Sequence, residues 1–226
     1  MTLARRAAAE FVGTALLLAV IVGSGIMGER LAGGNIAVAL LANSVATGGG
    51  LIALILAFGD LSGAHFNPAV TLALAAARKH PWRDVSGYVI AQFAGAIVGV
   101  WIAHAMFGES IFQVSEKLRP GGALMLSEAV ASFGLLLTII ATIRHRPESV
   151  AYAVAAYIAS AYWFTASTSF ANPAVTVARS LTNTFSGIRP SDALGFILSQ
   201  LLGAALAVAA VRFLFRQKGV VDAADV

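Results

Sequence analysis

The stretch Ser62-Gly63-Ala64-His65-Phe66-Asn67-Pro68-Ala69-Val70-Thr71 decides how this chain is read, because its last five residues return as Asn172-Pro173-Ala174-Val175-Thr176. Asparagine is a favoured helix N-cap, and proline fits the first helical position, where its missing N–H would have had no intrahelical partner. Each Asn-Pro-Ala is therefore a helix start. Both starts lie in uncharged runs of the wrong length for one membrane span, which takes about 20 helical residues. Leu61–Ala77 is too short and Ser149–Ala178 too long. A half-length helix fits the first, and a spanning helix followed by a half-length helix fits the second.

Working outward, the other uncharged stretches are Phe11–Gly28, Leu31–Gly59, Val85–Gly108, Ala129–Ile143 and Ala193–Val211. They predict spans near 7–27, 36–58, 85–107, 123–143, 149–168 and 192–214, with short helices near 68–78 and 173–183. The runs are continuously apolar, which argues for helices over a transmembrane β-barrel. Composition agrees: of 226 residues 58% are hydrophobic and 12% charged, with a mean hydropathy of +0.82. That leaves too little polar surface to cover a water-soluble particle. Arg5 and Arg6 precede an apolar run without a convincing small-residue cleavage site, so this run is read as a retained first span rather than a signal peptide. The formal charge of +4 comes from short basic groups between apolar runs, which orient a membrane protein and form no nucleic-acid face. Without cysteine there is no disulfide, thiolate metal site or thiol nucleophile.

The two halves carry further matched marks in the same order. Glu10 with Gly13 and Leu16-Leu17 is echoed by Glu128 with Gly134 and Leu135-Leu136, and Gln92-Phe-Ala-Gly95-Ala96 by Gln200-Leu-Leu-Gly203-Ala204. The chain is thus expected to form one domain, residues 1–226, with a first repeat at about 7–108 and a second at about 120–215. Each repeat holds three spans, and an odd number inverts the second copy. Arg5, Arg6, Arg78, Lys79, Arg83, Arg144, Arg146, Arg212, Arg216 and Lys218 fall on one side, against Arg30, Lys117, Arg119, Arg179 and Arg189, ten to five. Both termini are then expected in the cytoplasm.

Inverted half-helices entering from opposite faces would meet near the midplane, where non-helical backbone survives only if protein encloses it or it lines a wet cavity. Asn67, Pro68, Ala69, Asn172, Pro173 and Ala174 are accordingly the expected midplane of a pore. Two positive helix ends oppose cations, while the asparagine amides can donate to a water or hydroxyl oxygen. A single Asn-Pro-Ala would be only a helix cap; two inverted copies favour the pore. Glu10 and Glu128, carboxylates inside apolar helices, are expected to accept backbone N–H groups of the half-helix loops, with proton coupling as the other possibility. His65, two residues before Asn67, is expected to hold the first loop, with lining of the cytoplasmic vestibule as the alternative. No metal-ligand spacing, phosphate-binding loop or hydrolase motif is present, so neither an enzyme nor a cofactor is expected. Secondary transporters also use inverted repeats and broken helices and stay the alternative, although the spans offer few ionisable residues for coupling.

On Ser62–Thr71, the second Asn172-Pro173-Ala174, Glu10, Glu128 and the Gln-x-x-Gly-Ala pairs, the chain resembles the major intrinsic protein family of aquaporins and aquaglyceroporins over roughly residues 7–214. The resemblance implies an all-α bundle of six transmembrane helices and two re-entrant half-helices, passive conduction, and a homotetramer with one pore per subunit in the cell membrane. Family members usually carry an arginine directly after the second Asn-Pro-Ala, in a narrow outer filter; here that position is Val175. Carrying the other filter positions over by spacing gives Thr47, Ser160 and Ser169, where one inserted residue would replace Ser160 by Ala159 or Ala161. Such a ring has no aromatic wall and no charge. Arg179, one turn beyond Val175, is expected either to supply positive potential at the outer vestibule or to tie down a loop carbonyl or Asp192. The expected solutes are small, neutral and polar: glycerol, urea and metalloid acids such as arsenite, together with water. A strict water channel is the alternative.

Overall fold

A computed structural model describes residues 1–215, so Arg216 and Lys218 of the charge count lie outside the described residues. The helices are α1 (Leu3–Leu31), α2 (Ile36–Ser62), α3 (Pro68–Ala76), α4 (Trp82–Phe107), α5 (Gly122–His145), α6 (Val150–Phe164), α7 (Pro173–Arg179) and α8 (Pro190–Leu214), with a 3-10 turn Pro147–Ser149 leading into α6. The order is long, long, short, long, twice over. Five of the long helices are apolar enough to cross a membrane, and α6 is the sixth span.

Local chemistry sets the boundaries that differ from the sequence reading. α6 stops at Phe164, not 168, because Thr165 turns extended (φ −109°, ψ 136°) while its hydroxyl donates back to the Ala161 carbonyl at 2.6 Å. α7 ends at Arg179, not 183, where the Ser180 hydroxyl donates to Val177 O at 2.6 Å. α3 ends at Ala76, and Arg78 sits just past it in the left-handed region at φ 58°.

Within each half the first and last helices approach closely at equivalent glycines. A Cβ at Gly95 of α4 would collide with the Phe11 carbonyl of α1, and one at Gly203 of α8 with the Ala129 carbonyl of α5. Those carbonyls follow Glu10 and Glu128 in the chain, so the contacts also bring Gln92 and Gln200 against the two carboxylates. The outer surface is apolar. On α8, Leu194, Leu198, Leu202 and Leu206 form an exposed stripe at helical spacing, while Phe196, Gln200, Gly203 and Ala207 are buried. Lipid tails cover such a stripe without a protein partner.

Candidate functional site

The two short helices meet tip to tip. Asn67 caps α3 by accepting the Ala69 N–H at 2.9 Å, and its side-chain amide donates across the junction to the Ala171 carbonyl at 2.8 Å. Asn172 does the same for α7: it accepts Ala174 N at 2.9 Å and donates to the Phe66 carbonyl at 2.8 Å. One N–H of each amide is thus committed to the opposite loop. The second remains, and both asparagines line a cavity of about 90 Å³ that runs past the junction, room for roughly half a dozen waters. Pro68, Ala69, Pro173 and Ala174 are buried in the first turns behind the tips.

The loops leading to the tips are unusual in the same way. Ala64 and Phe66 before Asn67, and Ser169 and Ala171 before Asn172, all have φ between 46° and 50°, a conformation that strains residues with a Cβ. Two fully buried carboxylates (both 0% exposed) take the N–H groups of Phe66 and Ala171, while those of Ala64 and Ser169 go to the Ser62 and Ser167 hydroxyls at 3.1 and 3.2 Å. Glu10 accepts His65 N (2.9 Å), Phe66 N (2.7 Å), the Ser62 hydroxyl (2.6 Å) and Gln92 Nε2 (2.8 Å). Glu128 accepts Phe170 N (2.9 Å), Ala171 N (2.9 Å) and Gln200 Nε2 (2.6 Å). Gln92 and Gln200 also donate to the Thr71 and Thr176 hydroxyls at 2.9 and 2.8 Å. In the sequence the glutamines stand out only as repeat marks, and the signal for the threonines is the Thr shared after each Asn-Pro-Ala-Val.

His65 lines the cavity, and its Nδ1 lies 3.0 Å from the Thr71 hydroxyl. Its ring sits against His80 and Tyr88 at centroid distances of 4.9 and 5.2 Å. Burial pushes the His80 imidazole, in the loop between α3 and α4, below its ordinary pKa.

Toward the end of the cavity nearer α7, the walls are Thr47, Ser169, Val175 and, in place of Ser160, Tyr162. Ser160 is exposed, with its hydroxyl folded back on the Ala156 carbonyl at 2.8 Å. The cavity face of α6 is the four-residue series Val150, Val154, Ile158 and Tyr162; two residues on a helix turn by about 200°, which puts Ser160 on the opposite face. Spacing from Asn172 misplaced it by two residues, because the sharp turn after Thr165 leaves a short connection. The correction adds an aromatic wall, and the Tyr162 hydroxyl lies 3.2 Å from Thr47 Oγ1. The Ser169 hydroxyl is buried without a protein partner and faces the same space.

Arg179 lines this end too. Although only 2% exposed, it donates through Nε to the Ser186 carbonyl, and its guanidinium carbon lies 3.4 Å from the Phe170 ring centroid. The Asp192 carboxylate is instead held by Arg189 at 2.9 Å and by the Arg119 backbone N–H at 2.9 Å. Arg119, which the sequence offered only as one charge of the outer side, braces the mouth: it donates to Gly187 O at 2.8 Å and Ser167 O at 3.1 Å, and its guanidinium approaches the same Phe170 ring at 5.0 Å.

Two half-helices capped tip to tip beside a cavity, inside a bundle with a lipid-facing surface, define a membrane channel. The family model "Major intrinsic protein" matches residues 1–150 and 146–225. The chain belongs to the major intrinsic protein family. It is 55% identical over 214 residues to "Aquaglyceroporin AqpS" of Rhizobium meliloti (strain 1021), covering 95% of this chain and 91% of that one. It is 35% identical over 161 residues to "Aquaporin AqpM" of Methanothermobacter marburgensis, covering 62% and 65% of the two chains. The fold matches the X-ray structure of the aquaglyceroporin from Plasmodium falciparum with a TM-score of 0.72, covering 95% and 97% of the two chains at 18% identity. The protein is an integral membrane channel for water and small solutes, not an enzyme.

Proposed function

We propose that the chain conducts small uncharged polar solutes passively, with glycerol-like polyols, urea and metalloid acids such as arsenite passing beside water, and excludes protons and ions. The observation that carries this reading is Val175, an uncharged side chain on the cavity wall where the resemblance leads one to expect arginine. The cation stands one turn further along α7, as Arg179, stacked against Phe170. Thr47, Tyr162 and Ser169 present hydroxyls to a solute, and apolar walls accept its carbon skeleton. A cation finds no carboxylate among the described residues of that wall and meets Arg179 and two positive helix ends. The remaining amide N–H of each asparagine donates to a passing oxygen, which opposes the reversal of donor direction that a proton wire needs.

Glu10 and Glu128 are structural in this reading, since their oxygens are taken up by loop donors. The same reading makes the unit 1–226 one channel domain of two repeats, about 7–108 and 120–215, with both termini in the cytoplasm of a cell-membrane homotetramer. Stopped-flow light scattering on proteoliposomes tests it: fast shrinkage followed by reswelling in glycerol, urea and arsenite is expected. Water flux with no solute uptake would establish a strict water channel. Uphill solute accumulation driven by a pH gradient would establish a transporter.

A further inference from the structure

At the end of the bundle that carries the N-terminus, a second cavity of about 570 Å³ opens between the end of α3 and the ends of α5 and α8. Arg78, Lys79, Arg144 and Arg212 border it, and among the described residues no acidic one does. Among the described residues none of the four forms an ion pair. Arg212 donates to the Ala76 carbonyl at 2.6 Å, which satisfies the carboxyl end of α3. Arg144 lies over the Phe215 ring at 5.4 Å. Arg78 and Lys79 are exposed and have no side-chain hydrogen bond among the described residues. The rest of the lining is apolar, with Ile140, Val208 and Phe215 among it. Phe213 and Leu214 of the same helix end stand exposed beside Arg212, which sets this mouth at the level where acyl chains meet headgroups.

We infer that this groove binds one anionic glycerophospholipid, its phosphate held by Arg78, Lys79 and Arg144 and its acyl chains laid over Phe215 and Val208. Cations without carboxylates call for an anion, and charge-assisted bonds to phosphate oxygens are the strong ones available to Arg and Lys. The apolar lining and the neighbouring exposed Phe213 select a lipid over a free anion.

Native mass spectrometry of the full-length protein in detergent, offered equal phosphatidylglycerol and phosphatidylcholine, is the test. Preferential retention of phosphatidylglycerol is expected, falling at least about tenfold in Arg78→Gln/Lys79→Gln/Arg144→Gln. The double variant Arg78→Gln/Lys79→Gln leaves the Arg144–Phe215 stack intact and should show an intermediate loss. Neutralising three other exposed bases, Arg5→Gln/Arg83→Gln/Arg146→Gln, should leave retention unchanged. Equal losses in the two triple variants would overturn the proposal, as would glycerol 3-phosphate competing as well as the lipid. Retention that arises only in Asp222→Asn/Asp225→Asn would assign the groove to carboxylates of the chain's own C-terminal segment and also overturn it.

Discussion

Replacing Glu10 by glutamine isolates what the buried carboxylate does, because the change preserves shape and removes charge and one acceptor. Glu10 takes four donors on two oxygens: Ser62 and His65 on Oε1, Phe66 and Gln92 on Oε2. If the new amide nitrogen sits at the Oε2 position, it faces the Phe66 N–H and the Gln92 amide nitrogen. Gln92 can offset only part of this: turning its amide lets Oε1 accept from the new amide, but it gives up the bond to Thr71 and leaves its own nitrogen where Oε1 has no partner. Phe66 cannot adapt, because its N–H belongs to backbone held at φ 47°. The cost is therefore at least one orphaned buried donor, the Phe66 N–H, at about 1–3 kcal/mol. For a protein of this length that corresponds to a melting temperature about 2–12 °C lower in detergent. The assay is thermal unfolding at neutral pH alongside water flux in vesicles, and Glu10→Gln/Gln92→Ala should fall further than Glu10→Gln, since it also removes the bond to Thr71 and empties a buried site. A Glu10→Gln protein that melts with the parent would show that the carboxylate does not fix the loop. Unchanged stability combined with lost pH-gradient-driven uptake would restore a proton-coupling role.

Three further outcomes follow from the same geometry. Val175→Arg should lower glycerol permeability tenfold or more while cutting water flux much less, because a guanidinium would fill the wall between Tyr162 and Ser169; equal losses would remove Val175 from the constriction. Tyr162→Ala should admit polyols larger than glycerol, as read by vesicle reswelling, whereas Ser160→Ala should change no permeability at all; the reverse result would reinstate Ser160 as the lining residue. His80 has a folded pKa below the ordinary histidine value because of burial, among His65, Tyr88, Asp84 and Arg6. Its contribution to stability is fully present above about 6.5 and is lost as pH falls through the lower folded value, since the unfolded chain binds the proton more readily. The melting temperature should therefore be flat from pH 8 to 7 and decline on acidification, with a shallower decline in His80→Phe.

What could be read from the residues and what could not divide along a physical line. Helix starts are local: Asn-Pro carries its own cap, so both half-helices were legible to the residue at their N-termini, and continuous apolar runs marked the spans. Helix ends depended on single hydroxyls, Thr165 and Ser180, turning back onto carbonyls, a choice that neither hydropathy nor propensity records. The left-handed residues are hidden more deeply, because Ala64, Phe66, Ser169 and Ala171 occupy φ values that usually announce themselves as glycine. Phe66 and Ala171 are held from other helices by Glu10 and Glu128, which only the fold brings near, while Ala64 and Ser169 are held by serine hydroxyls two residues back. Ser160 shows the same limit in the filter. Counting back from Asn172 assumes a fixed connection length, whereas the four-residue series on α6 converges on Tyr162 regardless of the turn that follows it. Periodicity within a helix is thus the safer ruler for lining residues, and distance from a motif across a turn is reliable only when the turn itself is known.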